Sequence, residues 1–127
     1  YFTIYESRDD LHDELRGIAI LDLAANNTDR KSGHCLLAHD HVWAIDNGLC
    51  FSVDYKLRTV IWDFGGEPIA AQHREALANL ADRPPEELDE LLDRHEIEAL
   101  QERCRLTAEL GEFPIDETGH RYPWPLV

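Results

Sequence analysis

The sequence predicts a mainly helical chain carrying one small β-hairpin, an α+β fold. Three observations predict it. Apolar residues recur at helical spacing over Asp9–Asn26 and again through the second half of the chain. Two short apolar runs, His34–Ala38 and Val42–Ile45, are separated only by His39, Asp40 and His41, which reads as a tight hairpin. No strand–helix–strand alternation occurs, which argues against a doubly wound parallel sheet.

The elements follow in chain order. Asp9 and Asp10 put negative charge where a helix dipole favours it, and Leu11, Leu15, Ile18 and Ala19 share one face. Ile20, Leu21 and Leu23 widen that face, so the second half of the helix should be buried. Asn26, Asn27 and Thr28 break it, because their short polar side chains compete for backbone hydrogen bonds. Asn27–Gly33 is a polar loop, the hairpin follows, and Asp46-Asn47-Gly48 is a turn signal. Leu49–Val53 suits a further extended piece. Leu57–Phe64 is compatible with a strand or a short helix, and Gly65, Gly66 and Pro68 end it.

Helices are expected over Ile69–Ala81, over Glu86–Asp93 behind Pro84 and Pro85, and over Glu96–Leu110. The last should turn Ile97, Leu100, Cys104 and Leu110 to one side, with Gly111 as C-cap. The division is therefore a lobe over 1–111 and a tail over 112–127, whose three prolines, Tyr122 and Trp124 should lie on the body. Trp43, Trp62 and Phe64 are expected in the core.

The 127 residues carry a net charge of −14, which repels phosphate backbones and argues against nucleic-acid binding. No apolar run approaches the roughly 18 residues of a membrane span, and Tyr1–Asp10 does not read as a signal peptide. The first residue is Tyr rather than Met, as expected of a fragment, a processed product or a sequence whose start is omitted. Three cysteines (Cys35, Cys50 and Cys104) without framework spacing favour a reducing, cytoplasmic setting.

Phosphoryl transfer needs a group that orients a hydroxyl and accepts its proton, a cation beside the moving phosphate, and oxygen ligands for a metal. Protein kinases meet these needs with a loop Asp, a metal ligand five residues later and a second Asp beyond a short hairpin. Asp29-Arg30-Lys31-Ser32-Gly33-His34 has this layout. Asp29 stands at the base position, Lys31 at the position of a γ-phosphate cation, and His34 at the metal-ligand position. Asp46 follows seventeen residues after Asp29, beyond the hairpin, as the second metal carboxylate. Asn27 and Asn47 flank the two acids as candidate cofactor contacts.

These elements resemble the Asp-Arg-His-x-x-Asn and Asp-Phe-Gly elements of phosphoinositide 3-/4-kinases. They look closest to actinobacterial phosphatidylinositol 3-/4-kinase-like proteins, which carry a similar Asp-Arg-Lys-Gly-Gly-His loop and Asp-His-Gly turn. Leu57-Arg58-Thr59-Val60-Ile61-Trp62-Asp63-Phe64 is also similar to that group, and the resemblance covers about Gly17–Pro68. It implies the C-terminal lobe of a kinase-like fold. It also implies ATP with Mg²⁺ or Mn²⁺ as cofactor and transfer to a lipid, protein or small-molecule hydroxyl. The Gly-rich loop and strand Lys of such enzymes do not occur here. The resemblance places them in an N-terminal lobe upstream of Tyr1, so this chain alone is not expected to bind ATP tightly.

Departures from the family pattern are Lys31 for His, His34 for Asn and Asn47 for Phe. Imidazole is a poor Mg²⁺ ligand, so His34 is read as ligating a borderline metal such as Mn²⁺, as touching nucleotide, or as a mark of lost activity. Asp63-Phe64-Gly65 spells the literal motif but does not follow the first hairpin, and is taken as a substrate-side or structural segment. Other readings carry less. Asp29 and Asp46 could be plain loop and turn residues. His34, Cys35, His39, His41 and Cys50 could form a zinc site, but strand neighbours point to opposite faces. A hydrolase triad lacks a nucleophile elbow. The competing class is a pseudokinase-type binding or scaffold module.

Overall fold

Leu11, Leu15 and Ile18 stack along one side of a helix. In the computed structural model, which describes residues 1–127, Leu15 and Ile18 lie on the buried face of α2 (His12–Ala25) and Leu11 is buried at its N-cap. A 3₁₀ turn, Asp9–Leu11, leads into it. A short helix, α1 (Phe2–Ser7), precedes that turn and buries Ile4 against the core. Six residues are too few to display a helical period, so α1 is not legible in the sequence. The second half of α2 buries Ile20, Leu23, Ala24 and Ala25, whereas Leu21 is 49% exposed and lies off the face expected for it.

Asn26 ends α2 in the left-handed conformation, with φ 55° and ψ 51°. Asparagine tolerates this region better than most residues. Its fully buried amide donates to the Ser52 and Asp54 carbonyls at 2.9 and 2.6 Å and accepts from the Lys56 N–H at 2.9 Å. The helix end thereby holds the 52–56 segment directly.

One polar residue of α2 faces inward. Asp22 is buried among the apolar side chains of the helix and meets Arg30, which is also fully buried. The pair is bidentate: Arg30 Nε donates to Asp22 Oδ2 and Nη2 to Asp22 Oδ1, both at 2.8 Å. Arg30 Nη1 reaches the Ile45 carbonyl at 2.7 Å. Burial opposes the Arg30 charge, but the Asp22 carboxylate more than offsets it and holds the guanidinium above its ordinary pKa. A fixed planar fork suits this geometry, which a lysine could not reproduce.

Strands β1 (Cys35–Ala38) and β2 (His41–Ala44) form a two-stranded antiparallel sheet, with Cys35 opposite Ala44 and Ala38 opposite His41. His39 and Asp40 make the two-residue turn, both with positive φ (54° and 59°), as a tight right-twisted hairpin requires. Leu49–Val53 is irregular rather than a strand. Its backbone answers the end of α2: the Phe51 N–H donates to the Ala25 carbonyl at 2.6 Å, and the Thr28 N–H to Leu49 at 2.9 Å. Leu57–Phe64 is neither strand nor helix. It buries Leu57, Val60, Ile61 and Phe64 and satisfies its backbone against the polar loop through an isolated parallel bridge, Arg30 to Thr59.

The second half is helical, in α3 (Ala71–Asp82) and α4 (Arg94–Leu110). Between them Glu86–Glu90 forms only a 3₁₀ turn, shorter than the helix expected to reach Asp93. Asp93 instead caps α4: its carboxylate accepts from the Glu96 N–H at 2.9 Å, and Glu96 returns a bond to the Asp93 N–H. Leu100 and Cys104 are buried as their spacing predicts, but Leu110 is exposed at the end of the helix. Arg103 ties α4 back, donating to the Ala24 and Ser52 carbonyls at 3.1 Å each.

The tail lies along the body. Phe113 is buried, the Arg121 carbonyl accepts from Thr59 N–H and Trp62 Nε1, and the Leu126 carbonyl accepts from Ser32 N–H. Trp124, expected against the body, is 79% exposed, and Trp43, expected in the core, is 55% exposed; of the three aromatics assigned to the core, only Phe64 is fully buried. The three cysteines are unpaired. No helix is long and apolar enough to cross a membrane.

Two expectations for stability follow from these contacts. Asp22→Ala leaves a buried guanidinium without its counterion and should cost about 3–5 kcal/mol in urea denaturation; a loss near zero would show that Arg30 finds another partner. Gly111 caps α4 at φ 71°, and a Cβ there would stand 2.9 Å from the Arg74 guanidinium carbon. Gly111→Ala should therefore lower stability by about 1–2 kcal/mol in the same assay.

Candidate functional site

The loop leaving α2 is built from its buried side outward. Asn27, wholly buried, donates to Asp22 Oδ1 at 3.1 Å and accepts the Asp29 N–H at 3.0 Å. Its side chain therefore positions Asp29 from behind and does not line an open surface. A 3₁₀ turn, Ser32–His34, then leads directly into β1.

The hairpin returns the chain to this loop. The Ile45 N–H donates to the His34 carbonyl at 2.9 Å, extending the pairing one step beyond the strands. Asp46 is thus the first residue past the ladder, alongside His34. Its backbone is left-handed, with φ 55°, a conformation that aspartate adopts more readily than branched residues. His34 Nε2 stands 3.3 Å from Asp46 Oδ2. The same ring holds the other side of the site, with Nδ1 2.9 Å from the Asp29 carbonyl and 3.2 Å from the Lys31 N–H. Lys31 Nζ is 4.0 Å from Asp29 Oδ1.

Four of the six expected residues, Asp29, Lys31, His34 and Asp46, therefore come together. Their side chains are graded in exposure: 73% for Asp46, 31% for Asp29, 20% for Lys31 and 15% for His34. Both carboxylates remain partly accessible, and the imidazole bridges the Asp29 backbone and the Asp46 side chain. His34 Nδ1 faces a donor, the Lys31 N–H, and an acceptor, the Asp29 carbonyl. Unprotonated it serves the first, and protonated the second. The sixth residue, Asn47, is turned to the frame: its Oδ1 accepts from Arg30 Nη2, and its Nδ2 donates to the Ala44 carbonyl at 3.3 Å.

No group of three or more His, Cys, Asp and Glu side chains stands at metal-binding spacing. Asp46 and His34 are two candidate ligands, and a hard cation held by one or two protein groups completes its shell with water and phosphate oxygens. His34 and His41 sit at opposite ends of the hairpin, His41 beside Glu14 at 3.2 Å. Asp63 accepts a hydrogen bond from the Tyr1 hydroxyl, and burial together with that carboxylate holds the Tyr1 phenol well above its ordinary range.

Asp22 and Arg30 were not singled out by motif reasoning, yet together they bond Asn27, the His34 and Ile45 carbonyls and Asn47, the segments that flank Asp29 and Asp46. A signal was present. A lone carboxylate within the apolar run Ile18–Ala25 must find a cation, and Arg30, eight residues on, is the first one after it.

No family model matches the sequence, and no solved structure does. The chain is 42% identical over 117 residues to Protein Rv2133c of Mycobacterium tuberculosis, an alignment covering 87% of this chain and 42% of that protein. The chain thus spans less than half the length of this curated relative.

Proposed function

We propose that this chain is the metal-binding half of a kinase-like phosphotransferase, its fold being the C-terminal lobe of a phosphoinositide-kinase-like enzyme. One observation carries the reading: His34 meets the Asp29 backbone carbonyl through Nδ1 and the Asp46 carboxylate through Nε2, so the loop bearing Asp29 and Lys31 is held beside Asp46. In this reading Asp29 orients an acceptor hydroxyl and takes its proton as the oxygen bonds to the γ-phosphorus of ATP. The bond from that phosphorus to its bridging oxygen breaks, and ADP leaves. Lys31 would offset charge on the transferring group, and Asp46 with His34 would hold Mg²⁺ or Mn²⁺, which would supply neutralisation of phosphate charge. Asn27 and Asn47 act through the frame, steadying Asp29 and the Asp46 segment. The acceptor is a lipid, protein or small-molecule hydroxyl, and the setting is cytoplasmic.

The hairpin supports the requirement for a second lobe. Leu36 and Trp43, paired across the hairpin, and Ile45 are each more than a third exposed on the face of the ribbon turned away from the core. Another part of the same protein covering them would complete the nucleotide cleft. A pseudokinase-type binding module is the second reading. It is favoured by the internal satisfaction of the site: Asn47 is held by Arg30, and both His34 nitrogens already face protein partners.

Nucleotide titration of the full-length protein with Mg²⁺ or Mn²⁺ separates the two. The enzyme reading expects metal-dependent ATP binding that Asp46→Ala abolishes; unchanged binding in that variant removes Asp46 from the metal site. Asp29→Ala should lower phosphoryl transfer by about 10²–10⁴-fold while sparing nucleotide affinity. Equal turnover would end its role as base, and wild-type protein that binds no nucleotide would favour the binding module.

A further inference from the structure

A basic cleft adjoins the Asp29 loop. It has a volume of about 290 Å³ and is lined by Lys56, Arg58, His120 and Arg121, with Tyr55 and Thr118. This is near the lower end of the roughly 300–1,000 Å³ usual for ligand pockets. Its charge is opposite to that of the molecule, which carries 26 acidic residues against 12 lysines and arginines.

The distribution of those twelve cations is informative. Seven stand within salt-bridge distance of carboxylates: Arg8, Arg16, Arg30, Lys31, Arg83, Arg94 and Arg105. Arg74 and Arg103 donate to backbone carbonyls. The remaining three, Lys56, Arg58 and Arg121, have no side-chain hydrogen bond or ion pair, and all three line this one cleft. Arg121 is stacked over the Tyr55 ring, 4.6 Å from its centroid, which orients the guanidinium without using its N–H donors. Asp116, on the same turn as Arg121, is otherwise engaged, accepting from Thr118 N–H and Oγ1 and from Arg121 N–H.

The cleft is also built into the frame. Arg58 N–H donates to the Asn27 carbonyl, Arg30 N–H donates to the Arg58 carbonyl, and Thr59 N–H donates to the Arg121 carbonyl, at 3.0, 3.0 and 3.1 Å. Both walls are therefore fixed to the segment bearing Asp29, two residues from Asn27 and one from Arg30. Unpaired cations on a backbone fixed beside a polar loop suit a phosphate group, which takes several charge-assisted hydrogen bonds at once.

We infer that this cleft binds a phosphate-bearing ligand through Arg58, Arg121 and Lys56. In the role we assign it, which rests on the phosphotransferase reading, it grips a phosphate on the acceptor molecule and presents its hydroxyl toward Asp29. The ligand is a soluble phosphomonoester or a phosphate-bearing lipid headgroup.

The test is titration of the full-length protein with inorganic phosphate, and in parallel with phosphatidylcholine vesicles with and without phosphatidic acid. Saturable binding to either phosphate source, weakening as salt rises, is expected. Arg58→Ala and Arg121→Ala should each weaken it by about tenfold, and Lys56→Ala should weaken it as well, all with unchanged circular dichroism. Binding to phosphate alone identifies a soluble ligand, and binding only to acidic vesicles identifies a headgroup. No binding to either source, or binding that survives Arg58→Ala and Arg121→Ala together, overturns the site. Asp46→Ala serves as the control: Asp46 does not line the cleft, so phosphate binding should persist there even if metal-dependent nucleotide binding is absent. Loss of the one without the other thus distinguishes failure of the anion site from failure of the phosphotransferase reading.

Discussion

The buried pair of Arg30 and Asp22 is the constraint on which the site depends. A guanidinium with no exposure must satisfy its N–H groups inside the protein, and each partner it takes fixes a different part of the chain. Asp22 fixes the loop to α2. The Ile45 carbonyl fixes the exit of the hairpin, and Asn47 fixes the segment after Asp46. A buried ion pair of this kind is a weak source of net stability, because desolvation cancels much of the attraction. Its effect here is positional, since few other side chains could bind three separated segments in one plane.

Around that pair the polar groups divide into a framing layer and an exposed layer. Asn26, Asn27, Asp22 and Arg30 are buried and saturated with protein partners. Asp29, Lys31, His34 and Asp46 stand outside them with polar atoms facing solvent or one another. The asparagines illustrate the division: the same residue type that breaks a helix by capturing backbone groups then supplies the hydrogen bonds that orient the next loop. Positive φ at Asn26 and Asp46 marks both ends of this arrangement, where the chain turns sharply beside the site.

Much of the local structure was legible because it rests on short-range physics. The period of Leu11, Leu15 and Ile18 defines α2, the two apolar runs with a polar turn define the hairpin, and Gly111 marks the end of α4. The approach of His34 to Asp46 follows from their places on either side of a hairpin, which returns the chain whatever lies elsewhere. Leu49–Val53 and Leu57–Phe64 were not readable. Their apolar content resembles that of strands, but their backbone partners are a helix end and a loop more than twenty residues away. Trp124 and Trp43 were misassigned for a related reason, since hydrophobicity states a preference for burial but not whether the fold offers a place.

The sequence by itself determined α2, α3, α4, the hairpin and the acidic character, because the elements depend on neighbours within about two helical turns or one tight turn and the charge depends on composition alone. Tertiary structure alone decided that Arg30 would be the organiser, and that Asn27 and Asn47 would serve the frame. It alone brought Lys56 and Arg58 to face Arg121 from the far end of the chain. Those outcomes depend on which buried charges find partners and which cations are left without one, and that is settled only when distant segments compete for the same few places in a packed interior.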